Sequence, residues 1–262
     1  MLIESDSLSA VSARSYSPSR LAPRISCIVC AYNEAERIKP ILDAVNHHPA
    51  LLEVIVVDDG STDEIKSLLE AYPDIRLLSH TPNRGKTYAL SQGVAAACGD
   101  YLMFLDADLA GVTAEHISAL ARPVATGWAD VSISLRRNSL ALYRLIGLDF
   151  VSGERVIPAS LIAGSFETME RLPRWGGEAY INNLICREGL SIAVVDWPAV
   201  SNVRKYEKVG FWRGMWAEIT MICDATRVLS PWGLIGQNLA LLRLVRRRPR
   251  FGNARVRQIE MV

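Results

Sequence analysis

Three polar, acid-bearing clusters carry most of the chemistry available to this 262-residue chain. Asp106-Ala107-Asp108 follows the apolar run Tyr101–Leu105, Asp58-Asp59 closes the run Glu53–Val57, and Tyr32-Asn33-Glu34 comes directly after Ile25–Ala31. Two carboxylates two apart at a strand end both reach one crevice if the backbone turns there. Hard oxygen donors of that kind suit Mg²⁺ or Mn²⁺, which complete their shell with substrate phosphates. Asp59 has the chemistry to accept hydrogen bonds from a nucleobase N–H or a ribose hydroxyl. A lone D-x-D is commonly just a turn before a helix. Three clusters on one edge are different, because like charges converging on a crevice are unfavourable unless a cation or ligand sits among them.

The elements that must position these groups follow from the hydrophobic pattern. Strands are expected at Ile25–Ala31, Glu53–Val57, Ile75–Ser79, Tyr101–Leu105 and Asp130–Leu135. Helices are expected at Glu34–His47, from a Ser61 or Thr62 cap to about Ala71, at Gly85–Cys98 and at Thr113–Ala125. Each strand is nearly continuous in apolar residues, as when helices cover both faces of a sheet. Strands alternating with helical stretches indicate an α/β fold on a mostly parallel sheet, where ligands bind beyond the carboxyl ends of the strands. All three clusters fall there. Further on, Glu178–Cys186 reads as a helix and Ser191–Val195 as a strand.

Composition narrows the classes. Half the residues are hydrophobic and 22% are charged, a globular profile. The net charge is +1, yet the stretch 243–257 holds seven arginines and no acid, so the remainder is mildly acidic. That excludes a uniformly basic nucleic-acid binder and leaves a basic tail on an acidic body. Five scattered cysteines fit a reducing, cytoplasmic compartment. Cys27 and Cys30 form C-x-x-C, but on a strand positions i and i+3 face opposite sides, so they are core residues rather than metal ligands. Asn83-Arg84-Gly85-Lys86-Thr87 is not a P-loop, since His80 stands where that motif needs glycine. Lys86, at a helix N-terminus near the crevice, suits a phosphate. Residues 1–23 read as a disordered leader without a signal peptide's apolar core. The apolar stretch Val228–Leu242 is too short to span a bilayer. The Trp-rich segment with Trp212, Trp216 and Trp232, followed by the arginine tail, suits peripheral attachment to an anionic membrane surface at its inner face.

Cys30-Ala31-Tyr32-Asn33-Glu34, Val56-Val57-Asp58-Asp59-Gly60-Ser61-Thr62-Asp63, Asn83-Arg84-Gly85-Lys86 and Phe104-Leu105-Asp106-Ala107-Asp108 resemble, in order and spacing, the successive motifs of family 2 glycosyltransferases with the GT-A fold. The resemblance covers about residues 25–135. It implies a Rossmann-like, mostly parallel sheet, a nucleotide-sugar donor, a divalent metal (Mg²⁺ or Mn²⁺) and an inverting transfer. By that resemblance Ala31, Asn33, Glu34 and Asp59 hold the nucleoside, with Tyr32, Lys86, Asp106 and Ala107 completing the donor site. Asp106 and Asp108 are then the metal residues.

The second half is similar, more loosely, to the polyprenyl-phosphate branch of that family. Asp130–Arg136 resembles its strand ending in Arg, and Asp149-Phe150-Val151-Ser152-Gly153-Glu154-Arg155 resembles its D-x-T-S-G-F-R, with Glu154 in place of the aromatic. The cluster Arg204-Lys205-Tyr206-Glu207-Lys208 lacks the glycine and serine the branch carries there. Two acceptor classes follow. A lipid phosphate is already ionised and needs no base; Arg155, Arg204 and Lys208 suit its binding. A saccharide or small-molecule hydroxyl does need one, and Glu178, before a helix, is the candidate catalytic base. The expected organisation is a leader at 1–23, a GT-A domain at 24–208 (donor half 24–135, acceptor half 136–208), and a helical, Trp-rich segment with a basic tail at 209–262. Two other classes compete: a nucleotidyltransferase, which calls for a Gly-rich basic loop where Tyr32-Asn33-Glu34 stands, and a non-catalytic sugar-nucleotide-binding module.

Overall fold

The computed structural model describes residues 23–139, 141–174, 176–202 and 228–246. The leader up to residue 22, Arg204, Lys208, Trp212, Trp216 and the arginines from 247 onward lie outside the described residues. The first strands are where the apolar runs place them: β1 (Ile25–Ala31), β2 (Glu53–Asp58), β3 (Ile75–Ser79) and β4 (Tyr101–Asp106). After the short β5 (Leu109–Ala110) come β6 (Val131–Arg136), β7 (Arg155–Pro158), β8 (Ile192–Trp197) and β9 (Ser201–Asn202). Seven of them form one sheet in the order β3-β2-β1-β4-β7-β6-β8, and β5 pairs with β9 separately.

The sheet is parallel except at β7, which runs antiparallel to both β4 and β6. The sequence pattern does not reveal this strand. Four residues carry too little periodicity to register, and the pairing is set by distant partners. Its consequence is functional. An antiparallel strand starts where its neighbours end, so Arg155 lies opposite Phe104 and the residues before it reach the edge that β4 presents. β6 runs parallel to β4, so Arg136 arrives at the same edge.

Alternating side chains of the strands feed two cores, one on each face. Cys27 and Val29 belong to one, with Met103 and Leu105; Ile28 belongs to the other, with Phe104, and Cys30 packs against it. The two C-x-x-C sulfurs therefore sit on opposite faces, as strand geometry requires. Burial pushes the Cys30 thiol up to about 12 and that of Cys27 further still.

Among the described residues the α-helices are α1 (Lys39–Val45), α2 (Ile65–Leu69), α3 (Lys86–Ala96), α4 (Ala114–Ala125), α5 (Ala141–Ile146), α6 (Phe166–Arg171), α7 (Gly177–Glu188) and α8 (Pro231–Leu244). Thr113 caps α4 through a box with His116. Gly189 ends α7 in the left-handed conformation that glycine adopts without steric penalty.

Two helices are shorter than their sequence pattern. The expected helix from Glu34 begins only at Lys39, with Pro40 in its first turn, where a missing N–H costs nothing. The expected Ser61 or Thr62 cap is absent. Ser61 Oγ accepts from Asn33 N at 2.9 Å, Asn33 Oδ1 accepts from Thr62 N at 2.8 Å, and Asp63 Oδ2 accepts from Ala35 N at 2.8 Å. These side chains tie the loop after β1 to the loop after β2, so α2 starts three residues beyond Thr62. No helix among the described residues is long and apolar enough to cross a membrane.

Candidate active site

The site is the edge where β1, β2, β4 and β6 end and β7 begins. At β1, Ala31 is buried and its carbonyl accepts from Asp59 N at 2.9 Å. Tyr32 is exposed, and Asn33 sits in the left-handed region with φ 56°. Glu34 Oε2 pairs with Arg37 at 3.1 Å.

The paired aspartates of β2 turn inward. Asp58 Oδ1 accepts from Ser61 N at 2.8 Å, while its buried Oδ2 makes no hydrogen bond and has Lys66 Nζ at 3.8 Å. Asp59, expected to receive the nucleoside, is only 3% exposed. Its Oδ1 is bonded by Arg84 N at 2.8 Å and His80 Nε2 at 2.7 Å; its Oδ2 accepts from Gly85 N at 2.8 Å and Asn83 Nδ2 at 2.9 Å. Each oxygen thus has two partners, the full capacity of a carboxylate. Asp59 organises the Asn83-Arg84-Gly85-Lys86 loop, and that corrects the simple picture of a side chain free to read a base. Sequence alone shows the carboxylate but not the four groups that arrive from the loop after β3.

Lys86 is the hub. It opens α3, and its Nζ lies 2.6 Å from Asp106 Oδ1 and 2.7 Å from Glu178 Oε1. Glu178 stands in the first turn of α7. The two helix starts are tied together because Thr87 Oγ1 donates to Arg174 O at 3.0 Å and accepts from Gly177 N at 3.1 Å. Burial alone would lower the pKa of Lys86, but Asp106 and Glu178 outweigh it and hold the ammonium charged. The N-termini of α3 and α7 add partial positive charge, so the edge combines carboxylates with features that favour anions.

Asp106 is also approached by Arg136, whose Nη1 lies 4.0 Å from Asp106 Oδ2 and 2.9 Å from Glu154 Oε1. Glu154 is fully buried and further accepts from Ser152 Oγ at 2.7 Å and Ser134 Oγ at 2.9 Å. Burial raises its pKa, against the pull of Arg136. Gly153 lets the backbone lie against Asp106, since a Cβ there would fall 2.5 Å from Asp106 Oδ1. Glu154, Asp149 and Gly153 were not candidates from sequence; the one available signal was their place in the Asp149–Arg155 motif.

Arg155, expected to contact an acceptor phosphate, is 1% exposed. Its guanidinium donates to Ser152 O through Nε and Nη2, and through Nη1 to Asn182 Oδ1 at 2.8 Å. Burial lowers its pKa. It lines the small cavity shared by Asp106, Lys86 and Glu178, yet its donors are engaged by protein oxygens. The structure therefore makes Arg155 a strut of this wall.

Asp106 and Asp108 provide two hard oxygen donors, with buried Ala107 between them. Among the described residues no group of three or more His, Cys, Asp or Glu side chains could hold a metal. A divalent ion here would take its protein oxygens from this pair and the rest from phosphate and water, the usual Mg²⁺ arrangement. The residues fit such an ion, with Lys86 as the present counter-cation of Asp106.

Residues 26–146 match the family model described as glycosyl transferase family 2. The motifs from Cys30 to Asp108 fall within this matched region, so this part of the chain is similar to that family. Its segment is 38% identical over 89 residues to the succinoglycan biosynthesis protein ExoO of Rhizobium meliloti (strain 1021), covering 33% of this chain and 26% of that protein. It is 36% identical over 94 residues to a dolichyl-phosphate beta-glucosyltransferase of Trichomonas vaginalis, covering 31% of this chain and 28% of that one. The similar stretch thus spans little more than a quarter of these relatives' own length. Glucosyl-3-phosphoglycerate synthase from Mycobacterium tuberculosis, solved with Mn²⁺, uridine diphosphate and glucosyl-3-phosphoglycerate, superposes with a TM-score of 0.61 at 23% identity over 80% of this chain and 86% of that one. The likeness is one of fold and bears out the GT-A architecture expected for this chain.

Proposed function

We propose that this chain is a family 2 glycosyltransferase that moves a sugar from a nucleotide-sugar donor to an acceptor, with inversion, using Mg²⁺ or Mn²⁺ at Asp106 and Asp108. One observation carries the reading: carboxylates from β4 and α7, Asp106 and Glu178, converge on Lys86 at 2.6 and 2.7 Å beyond the ends of the strands. The bound ion would offset charge on the departing nucleoside diphosphate. Lys86 and the two helix N-termini offer positive charge to the same diphosphate. The loop held by Asp59, together with Ala31, Tyr32, Asn33 and Glu34, forms the nucleoside wall. That a structural neighbour was captured with Mn²⁺ and uridine diphosphate supports this assignment.

For the acceptor we favour a polyprenyl phosphate. The dolichyl-phosphate beta-glucosyltransferase among the relatives supports it, as does the arrival of Arg136 at the same edge. An ionised phosphate needs no base, and Glu178, already neutralised by Lys86, then holds that lysine in place. The second reading, a hydroxyl acceptor, is favoured by the place of Glu178 in the cavity wall beside Asp106, within the region where a base would act.

The test joins binding and rate. Nucleotide sugars are screened for Mn²⁺-dependent thermal stabilisation of the wild type and of Asp108→Asn. Stabilisation in the wild type, lost in the variant, is expected; none with any donor would overturn the reading. With the donor in hand, Glu178→Gln is assayed on a polyprenyl phosphate and on a saccharide. Transfer to the phosphate with a small rate loss is expected. Transfer only to the saccharide, with a loss of roughly 10²–10⁴ in the variant, makes Glu178 the base.

A further inference from the structure

Helix α8 departs from the pattern of a surface helix. One side packs on α7: Leu241 is fully buried, Gln237 Nε2 donates to Ala179 O at 2.9 Å, and Cys186 Sγ donates to Gln237 O at 3.7 Å. A helix seated on one side ordinarily turns polar residues to solvent on the other. Here Trp232 (82% exposed), Ile235 (51%) and Leu239 (53%) point outward. They stand at i, i+3 and i+7, one face of an α-helix. The chain has no charged residue from Val228 to Leu242. The same face ends on the exposed Arg243; Arg246, beyond the helix, is exposed and donates through Nη1 to Trp128 O at 2.6 Å. The face is apolar over its first two turns and cationic at its end. Arg247, Arg248, Arg250, Arg255 and Arg257 follow in the sequence with no acid among them.

We propose that this face of α8 seats the protein on an anionic phospholipid surface. The Trp232–Ile235–Leu239 stripe lies in the interfacial layer with Arg243 at the headgroups, and the basic sequence that follows adds positive charge. Tryptophan favours the membrane–water interface, where its ring is dry on one side and its N–H stays wet. An apolar helix face buried in the headgroup boundary binds in proportion to its area, and clustered arginine adds attraction to anionic lipid. The fourteen residues of α8 reach roughly 21 Å, short of the 30 Å hydrocarbon layer, so the helix lies on the surface rather than crossing it. A second copy of the chain is the competing occupant. Self-pairing of the stripe across a two-fold axis sets Trp, Ile, Leu and Arg against themselves and offers the arginines no acid, whereas an anionic surface complements them. The inference is independent of the acceptor's identity.

The experiment is flotation of the full chain with phosphatidylcholine vesicles, with and without phosphatidylglycerol, at low and high salt. Binding to the anionic vesicles that weakens with salt is expected. The triple variant Trp232→Gln, Ile235→Gln, Leu239→Gln should lower the bound fraction about ten-fold or more, with circular dichroism unchanged. Leu239→Gln alone, expected to weaken binding several-fold, serves if the triple variant fails to fold. No flotation of the wild type on anionic vesicles, or equal flotation of wild type and stripe variants, overturns the proposal. So does equal binding to neutral vesicles, because the arginines then contribute nothing. A wild-type dimer by light scattering that the stripe variant converts to monomer, without vesicle binding, assigns the face to a second copy instead.

Discussion

Lys86 Nζ lies 2.7 Å from Glu178 Oε1, an ion pair that joins the first turns of α3 and α7 across the end of β4. The same ammonium lies 2.6 Å from Asp106 Oδ1. One lysine therefore pairs with a carboxylate from each half of the site. A divalent cation bound at Asp106, as proposed, would have to share that oxygen with the lysine.

Replacing Lys86 should separate these effects. Lys86→Met removes the competing cation, and Mn²⁺ binding in the absence of nucleotide should strengthen about ten-fold, a change of about 1.4 kcal/mol. Turnover should fall, because the diphosphate loses a cationic contact. Electron paramagnetic resonance titration of free Mn²⁺ reads the first effect without any activity assay. Unchanged or weaker Mn²⁺ binding would show that Lys86 does not compete for Asp106.

Asp59 should matter before any ligand arrives. Asp59→Ala leaves His80, Asn83 and the amides of Arg84 and Gly85 without their shared acceptor. Stability in the absence of nucleotide and metal should drop by about 1–3 kcal/mol, the cost of unsatisfied buried donors. Asp59→Asn, which keeps one acceptor oxygen, should lose less. Urea unfolding of the ligand-free chain decides the matter: wild-type stability in Asp59→Ala would mean that the loop holds itself.

Arg155 should act on the wall rather than on the acceptor. Arg155→Lys loses the fork shared by Ser152 O and Asn182 Oδ1 and should cost about 1–3 kcal/mol of stability. The KM for acceptor should stay close to wild type where the variant is folded. A variant of unchanged stability whose acceptor KM rises ten-fold or more would restore Arg155 as a direct phosphate contact.

Much of the architecture was legible in the chain. β1, β2 and β4 are nearly continuous apolar runs, and a strand buried on both faces reads that way. The same periodicity put Cys27 and Cys30 on opposite faces and Asp106 and Asp108 at a carboxyl edge. The short helices were harder. Ser61, Thr62 and Asp63 have cap-forming side chains, yet those side chains bond to Asn33 and Ala35 of another loop. Local propensity names what a residue can do, and tertiary contact chooses among those options.

What the sequence by itself determined is the set of groups and the edge to which they belong. The acids follow parallel strands, and the connection between parallel strands leaves their ends on one side. What only the tertiary structure decided is which groups meet. β7 enters antiparallel between β4 and β6 and carries Gly153 and Glu154 to Asp106. α7 brings Glu178 to Lys86, Asp59 is saturated by the loop after β3, and Arg155 turns inward to Asn182. Each of these depends on pairing between segments far apart in the chain. Hydrophobic periodicity is a local property and fixes the face of an element; the partner of a buried charge is set by where distant elements pack.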